Sequence, residues 1–141
     1  ADAQHIAAEF IGRFKINRKS LPAIALSNNS STITAISNDF SFDSVFSRQC
    51  ESLISKGDVV IGISTSGNSL NVKKGINTSK KNGAITIGLL GNKGGSIKRC
   101  VDIPLIVNST STPHIQEVHR TIYHIICEIV EKELVESSRK K

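Results

Sequence analysis

The sequence predicts an α/β domain in which helices flank a doubly wound parallel sheet of the flavodoxin or Rossmann type. Residues 58–63 (DVVIGI) are rich in β-branched side chains and lack polar alternation, as is typical of a strand buried on both faces. Residues 84–90 (AITIGLL) predict a second core strand, and residues 101–107 predict a third strand. Segments of helical length separate these runs. Strands that alternate with helices favour parallel pairing through right-handed crossovers.

The remaining elements follow from periodicity and from breaking residues. Residues 3–14 carry apolar side chains at the three-to-four spacing of one buried helical face, so they are predicted to form a helix. A break at Pro22 follows, and the apolar run 23–26 predicts a short buried strand. Further helices are predicted at residues 32–39, 43–56, 70–82 and 112 to about 136, with one helical turn just before residue 99.

Length and composition describe one globular domain spanning residues 1–141. No apolar run approaches the roughly 18 residues of a membrane span, and no signal sequence opens the chain. Three widely spaced cysteines form no CxxC pair, so we expect a reducing, cytoplasmic location. The chain contains no methionine, and from this we expect that the domain is truncated at its N-terminus.

The charge balance limits the classes of partner. A net charge of +6 permits an anionic ligand such as a phosphate or a nucleic acid. However, the basic side chains do not concentrate on an aromatic-rich element, and aromatic residues make up only 4% of the chain. We therefore favour a solvated basic surface, and expect neither a nucleic-acid nor a membrane partner.

The segment after the first predicted core strand, Ser64-Thr65-Ser66-Gly67-Asn68-Ser69, is the clearest candidate for ligand binding. Ligands of open parallel sheets bind beyond the carboxyl ends of strands, and a helix N-terminus offers free N–H groups. Hydroxyl groups add neutral donors for phosphate oxygens, and Gly67 permits close approach of the backbone. A plain helix cap would need only one serine, so the four hydroxyl residues favour a phosphate site without a Walker lysine.

Histidines on the first and last predicted helices are candidates for binding a metal ion or a substrate. His5 and Glu9 are four residues apart and share a helical face, although an ordinary surface pair has the same spacing. Gln116 and His124 lie about 80° apart around a straight helix and about 12 Å apart along it, so one ion could not easily be held by both. Either the helix bends or begins after Gln116, or one residue reaches a site with another subunit. His119 reads most simply as a core histidine.

The serine loop stands between two further motifs, QHIAAE (4–9) and IQEVHRTIYHIICEIVE (115–131). The loop alone is typical of sugar-phosphate SIS (sugar isomerase) domains. Together with the two flanking motifs, it resembles the phosphoheptose isomerase family within that domain class. The matching segments are AQHIAAEFIGRF (3–14), LPAIALSNNSSTITAISNDF (21–40), VFSRQ (45–49), GDVVIGISTSGNS (57–69), GLLGNKGG (88–95) and the final motif.

The resemblance implies an aldose–ketose isomerase. Such enzymes interconvert sedoheptulose 7-phosphate and D-glycero-D-manno-heptose 7-phosphate through an enediol, for the heptose of lipopolysaccharide or capsule. By position Glu9 would be the base and His124 the partner acid/base. The family binds zinc through residues that match His5, Glu9, Gln116 and His124. Its substrate contacts match Arg13, Asn38, Asp39, Ser64, Thr65, Ser66, Ser69 and Gln116.

The resemblance also implies a homotetramer with active sites at subunit boundaries. The chain departs from the family at Pro113 and His114, where an Asp-Arg or Ala-Arg pair is usual. Two other functions stay open at this point. One is an interaction protein of the type that binds the replication initiator DnaA, but that relative lacks the counterparts of Ser66 and His124. The other is a sugar-phosphate-sensing regulatory module.

Overall fold

The computed structural model describes residues 1–139, with the side chains described as far as residue 137. Three strands form one parallel sheet in the order β1-β2-β3, which confirms the predicted α/β class. The strands are β1 (Val59–Ser64), β2 (Ile85–Gly91) and β3 (Ile103–Val107). The helices are α1 (Asp2–Ile11), α2 (Ser30–Asp39), α3 (Ser47–Leu53), α4 (Leu70–Lys81) and α5 (Thr112–Arg139), and two short 3₁₀ turns cover Phe42–Ser44 and Ile97–Arg99.

The chain divides into two compact units. The helical unit comprises Ala1–Asn28 and the described residues from Arg120 onward. The sheet unit comprises Asn29–His119. None of the helices that the structure describes carries an apolar stretch of the length that a bilayer requires.

The first helix is shorter than predicted. It ends at Ile11 instead of residue 14, because Gly12 leaves the helical conformation with φ −77° and ψ −106°. The backbone N–H groups of residues 14–16 then point at the buried carboxylate of Glu131 instead of continuing the helix. A long-range polar contact therefore replaces the local hydrogen bonds that periodicity predicts.

The predicted strand at residues 23–26 is wrong, and the helix predicted at 43–56 is confirmed only over Ser47–Leu53. Residues 23–26 pair with no strand in the described chain, and Ile24 is 72% exposed, so apolar composition alone does not make a strand there. The second helix is confined to α3 and a preceding 3₁₀ turn. Asn82 donates from its side-chain amide to the carbonyl groups of Cys50 and Ile54, which satisfies the early end of α3.

Within the sheet unit, an apolar core and one polar contact hold α4 and the 3₁₀ turn before β3 against the strands. Ile76, Leu90, Ile97 and Val101 form the buried cluster. Strand β3 begins at Ile103, two residues later than predicted, because Asp102 turns to accept hydrogen bonds from the backbone N–H and hydroxyl of buried Thr86.

Candidate active site and phosphate loop

Three ligand-type side chains converge in the helical unit, where α1 meets the middle of α5. The Nε2 atom of His5 lies 3.0 Å from the Oε1 atom of Glu9 and 3.4 Å from the Nε2 atom of His124. One ligand atom from each residue lies within 4.8 Å of the others. All three side chains are half-buried, so the cluster is screened from bulk water but open to a ligand.

The two separations measured from His5 Nε2 match those in a small metal centre. Ligand atoms held 2.0–2.1 Å from a tetrahedral zinc ion lie about 3.3 Å from one another. The distances of 3.0 and 3.4 Å around His5 Nε2 bracket that value. Two imidazole nitrogens and one carboxylate oxygen are also ligands that zinc accepts. The cluster fits a metal ion in both geometry and chemistry.

The side of His5 that faces away from Glu9 is held by a tyrosine. The hydroxyl of Tyr123 lies 3.0 Å from the Nδ1 atom of His5, and Tyr123 is fully buried. Its ring packs edge-on against His5 and His124, with centroid distances of 5.4 and 4.9 Å. Burial raises the pKa of Tyr123, so its hydroxyl stays protonated at neutral pH. The histidine pair therefore rests on a neutral phenol that can donate or accept a hydrogen bond.

A buried ion pair fixes the chain segment that follows α1. Arg18 donates from Nε to Glu131 Oε1 over 3.1 Å, and the side chains are only 6% and 1% exposed. The two terminal nitrogens of Arg18 donate to the backbone carbonyl groups of Glu9 and Phe10, in the last turn of α1. Arg18 therefore caps the helical turn that carries Glu9, and the guanidinium charge suits the negative end of the helix dipole.

The carboxylate of Glu131 also binds the segment after α1. Its two oxygens accept from the backbone N–H groups of Phe14, Lys15 and Ile16 at 3.0, 2.7 and 2.9 Å. Burial by itself would raise the pKa of Glu131, but these donors and Arg18 lower it below the ordinary value of 4.5. Glu131 is therefore an ionised structural residue at neutral pH.

Cys127 is the nucleophile-type side chain nearest in sequence to this network, and it is inert. The thiol is buried, and burial together with the carboxylates of Glu9 and Glu131 raises its pKa to about 11. A thiol protonated at neutral pH is a poor nucleophile and a poor metal ligand.

In the sheet unit, the serine loop turns tightly between β1 and α4. The hydroxyl of buried Ser64 lies 2.9 Å from that of Ser69 and 3.4 Å from that of Ser66. Ser69 stands at the N-cap of α4, yet its side chain does not cap the helix. Ser69 therefore leaves the first N–H groups of α4 without an N-cap hydrogen bond, although Val72 N–H donates to Asn71 Oδ1 over 2.8 Å. Three hydroxyl groups cluster beside this helix end.

A second loop braces the serine loop through its backbone. The side-chain amide of Asn92 donates to the carbonyl of Thr65 over 3.0 Å, and Ile97 N–H donates to the carbonyl of Gly67 over 3.0 Å. Gly67 has φ +68°, and a Cβ atom there would lie 2.4 Å from the carbonyl carbon and oxygen of Gly94. Glycine at position 67 is thus required by both conformation and space.

A cavity of about 500 Å³ opens beside these two loops in the sheet unit. Sequence reasoning missed the residues that β2 and β3 contribute to it, although they follow the carboxyl ends of strands, where ligands are expected. Sequence reasoning also missed Tyr123, Arg18 and Glu131, because nothing in their local pattern marks a long-range contact. The lining residues are Ser66, Asn68, Asn92, Lys93, Gly95, Asn108 and Thr110.

The other predicted site residues are exposed. Arg13 lies beyond the end of α1, and Asn38 and Asp39 close α2 in the sheet unit. Gln116 lies on an exposed stretch of α5 that belongs to the sheet unit. His119 is fully buried there, and its ring nitrogens have no hydrogen-bond partner within the described part of the chain. The contacts described above join His5, Glu9 and His124 but do not include these residues.

Comparison with known proteins decides the family. The SIS domain matches residues 1–91. The phosphoheptose isomerase of Geobacter sulfurreducens is 57% identical over 134 residues, which cover 95% of this chain and 71% of that protein. The chain belongs to the phosphoheptose isomerase family of SIS-domain proteins. The homologue from Crocosphaera subtropica, also called phosphoheptose isomerase, is 54% identical over the same share of this chain.

Solved structures agree with this SIS-domain membership. A phosphoheptose isomerase from Neisseria gonorrhoeae superposes with a TM-score of 0.87 at 40% identity, covering 93% of this chain and 70% of that one. The enzyme from Francisella tularensis gives the same TM-score at 33% identity, covering 92% and 69%. The SIS match includes His5, Glu9 and the serine loop, whereas α5 with His124 lies beyond its last residue.

Proposed function

We propose that this protein is a phosphoheptose isomerase that interconverts sedoheptulose 7-phosphate and D-glycero-D-manno-heptose 7-phosphate. The observation that carries the proposal is the convergence of His5, Glu9 and His124 in a chain of this family, because the cluster unites a carboxylate base with imidazole groups. A ketose–aldose isomerisation needs such groups, since it moves one proton between neighbouring carbons and another between their oxygens.

We assign the carbon-bound proton to Glu9. Its carboxylate removes a proton from C1 of the ketose and returns it to C2, through an enediol. His124 protonates O2 in the first half of the reaction and takes the proton from O1 in the second. His5 Nε2 lies 3.0 Å from Oε1 of Glu9, so Oε1 is the oxygen beside the proposed metal ligands and the other oxygen is left for the substrate proton. The capping of the Glu9 turn by Arg18 supports this role, because an immobile base needs less reorganisation.

We propose zinc as the metal, held by His5, Glu9, Gln116 and His124. The nitrogen and oxygen ligands and the spacing around His5 Nε2 support zinc, while Gln116 enters on the family resemblance alone. When bound, the ion supplies positive charge that favours the enediolate form of the substrate.

We assign the phosphate group of the substrate to Ser64, Thr65, Ser66 and Ser69. The hydroxyl cluster at the N-cap of α4 supports this assignment, since neutral donors and a helix N-terminus together favour a dianion. The further substrate contacts that we propose are Arg13, Asn38, Asp39 and Gln116.

We further propose that the protein acts in the cytoplasm as a homotetramer with active sites at subunit interfaces, and that its product feeds heptose synthesis for surface polysaccharide. The three free cysteines support the location. The family resemblance supports the assembly and the pathway. Light scattering on the purified protein would measure the number of subunits.

The decisive experiment measures conversion of sedoheptulose 7-phosphate by the full-length protein and its Glu9→Gln variant. Loss of an acid/base group costs about 100-fold or more in kcat, so the variant is expected to fall by at least that factor. Glu51→Gln is the matched control, because the carboxylate of Glu51 pairs with Arg48 at the surface, with the two side chains 50% and 46% exposed. Near-normal turnover by Glu9→Gln would refute the base assignment.

The metal content of the purified protein provides a second test. Chelation is expected to abolish turnover, and added zinc is expected to restore it. The zinc site would be refuted if the purified protein held no metal and added zinc changed neither its activity nor its stability. An intact, folded, zinc-supplied protein with no turnover would shift the function toward partner binding, and DnaA would then be the first partner to test.

A further inference from the structure

The role of His5 depends on which of its two ring nitrogens carries the proton. A neutral imidazole has one donor nitrogen and one acceptor nitrogen, and only the acceptor can bind a metal. Nε2 faces Glu9 and His124, at 3.0 and 3.4 Å. Nδ1 faces the Tyr123 hydroxyl at 3.0 Å. The direction of the hydrogen bond between the Tyr123 hydroxyl and Nδ1 therefore decides whether Nε2 carries the ring proton or a free lone pair.

A charged pair lies near the same hydroxyl. Burial has the largest effect on the pKa of Tyr123 and raises it, while Arg120 lowers that pKa and Asp2 raises it. Arg120 Nη2 and Asp2 Oδ1 lie 4.0 Å apart. A phenol has one proton to donate and lone pairs to accept with, so the Tyr123 hydroxyl can pair with Nδ1 of His5 whether that nitrogen is a donor or an acceptor.

Two hydrogen-bond patterns follow. With the His5 proton on Nε2, that N–H donates to Glu9, and the Tyr123 hydroxyl donates to Nδ1. With the proton on Nδ1, that N–H donates to the Tyr123 oxygen, the phenol proton turns away from His5, and Nε2 presents a lone pair. The imidazole is neutral in both patterns, because the proton leaving one nitrogen is replaced by one on the other.

We propose that Tyr123 is a positioning residue that allows His5 to exchange these patterns and so to act as a metal ligand through Nε2. The inference rests on the proposed metal site and adds a residue to it that sequence motifs do not identify. Metal-binding histidines generally donate their second N–H to a partner that fixes ring orientation, and Tyr123 is placed to be that partner.

A purely structural role makes a different prediction. Tyr123 is fully buried and its ring packs against both histidines, so the ring itself contributes to the core. Tyr123→Phe keeps that ring and removes only the hydroxyl. If the residue served packing alone, Tyr123→Phe would leave metal affinity unchanged. If the hydroxyl positions His5, the variant would leave Nδ1–H without an acceptor and would weaken the metal complex.

The test compares zinc affinity of the metal-free, full-length wild type and Tyr123→Phe, by competition with a chromophoric zinc chelator. Removal of such a partner weakens metal binding by about 10- to 100-fold, which is the expected loss. Ser137→Ala is the control, since it deletes an α5 hydroxyl that contacts only the backbone of Glu133.

Nitrogen chemical shifts of the His5 ring give a readout that activity and stability do not. In zinc-bound wild type we expect a proton on Nδ1, and zinc at Nε2. Circular dichroism reports whether each variant folds. If Tyr123→Phe does not fold, the wild-type shifts decide the matter, because zinc at Nδ1 with the proton on Nε2 would overturn the role of Tyr123. If wild type binds zinc and the zinc affinity of Tyr123→Phe is within twofold of it, the role of Tyr123 is overturned but the proposed function is not. A folded wild type that binds no zinc overturns both.

Discussion

The carboxylate of Glu131 offers a sharp test of how the helical unit is held together. Its Oε1 atom accepts from Phe14 N–H and Arg18 Nε, and its Oε2 atom accepts from Lys15 N–H and Ile16 N–H. Glu131→Gln keeps the size of the side chain but replaces one oxygen with a donor. Whichever way the amide turns, its NH₂ group faces two donors and leaves them unsatisfied.

The magnitude follows from these contacts. Each hydrogen bond to a charged group contributes about 1.5–3 kcal/mol, and breaking a buried ion pair by removing one partner costs about 3–5 kcal/mol. Two lost acceptor contacts and an uncompensated Arg18 charge therefore predict a fall of about 3–5 kcal/mol in the free energy of unfolding at pH 7. Urea unfolding of the full-length protein, followed by circular dichroism, measures this fall.

The stability that Glu131 contributes should depend on pH. The folded-state pKa of Glu131 lies below its ordinary value of 4.5, so its ionised form contributes stability above about pH 4.5. That contribution is lost as the pH falls through the folded pKa. The stability difference between wild type and Glu131→Gln should therefore be largest near neutral pH and shrink in acid.

The control lies one turn earlier on the same helix. Glu128 contacts Lys15 and Lys132, whose side chains are 59% and 58% exposed, so Glu128→Gln leaves both ammonium groups in water. We expect a much smaller shift in unfolding midpoint for that variant. Equal shifts for the two variants, or an unchanged midpoint for Glu131→Gln, would show that the buried network does not stabilise the fold.

Two further predictions concern the sheet unit. Gly67→Ala is expected to raise KM for the sugar phosphate about tenfold, because its Cβ would displace the loop at Gly94. Gly57→Ala is the control, because Gly57 also has a positive φ (+93°) but open space around it, and it should leave KM unchanged. If the two variants raised KM equally, backbone strain and not the clash at Gly94 would explain the rise. Thr86→Val is expected to lower stability by about 1–2 kcal/mol in urea unfolding, because Asp102 loses a donor at 2.7 Å. The pKa of Asp102, which Lys80 and Thr86 lower to about 2, should rise in that variant, and an unmoved carboxyl titration by NMR would contradict this account.

Much of the sheet unit could be predicted from sequence because its signals are local. The β-branched run at residues 58–63 marks a parallel strand, and the hydroxyl-rich segment after Ile63 marks a strand end that enters a helix. The expected burial of that strand on both faces is wrong, because within β1 only Gly62 and Ser64 are buried and Val59 is 57% exposed. The structure has all three strands, in sequence order. The strand predicted at residues 23–26 failed because four apolar residues do not specify a partner, and a strand exists only when another strand pairs with it.

The early end of α1 shows the same limit. Apolar spacing extends the helix to Phe14, but the N–H groups of residues 14–16 bind Glu131, more than a hundred residues later in the chain. A contact of that sequence separation competes with local helix hydrogen bonds and cannot be read from periodicity.

By itself, the sequence determined the α/β class, the position of the serine loop and the residue types needed for acid/base and metal chemistry. Only the tertiary structure decided which of those residues meet. It joins His5 and Glu9 to His124 across more than a hundred residues, and it places Tyr123 behind His5 and Arg18 over the turn of Glu9. The physical reason is that hydrogen bonding and metal coordination act over about 3 Å, whereas sequence patterns report only which face of an element is buried.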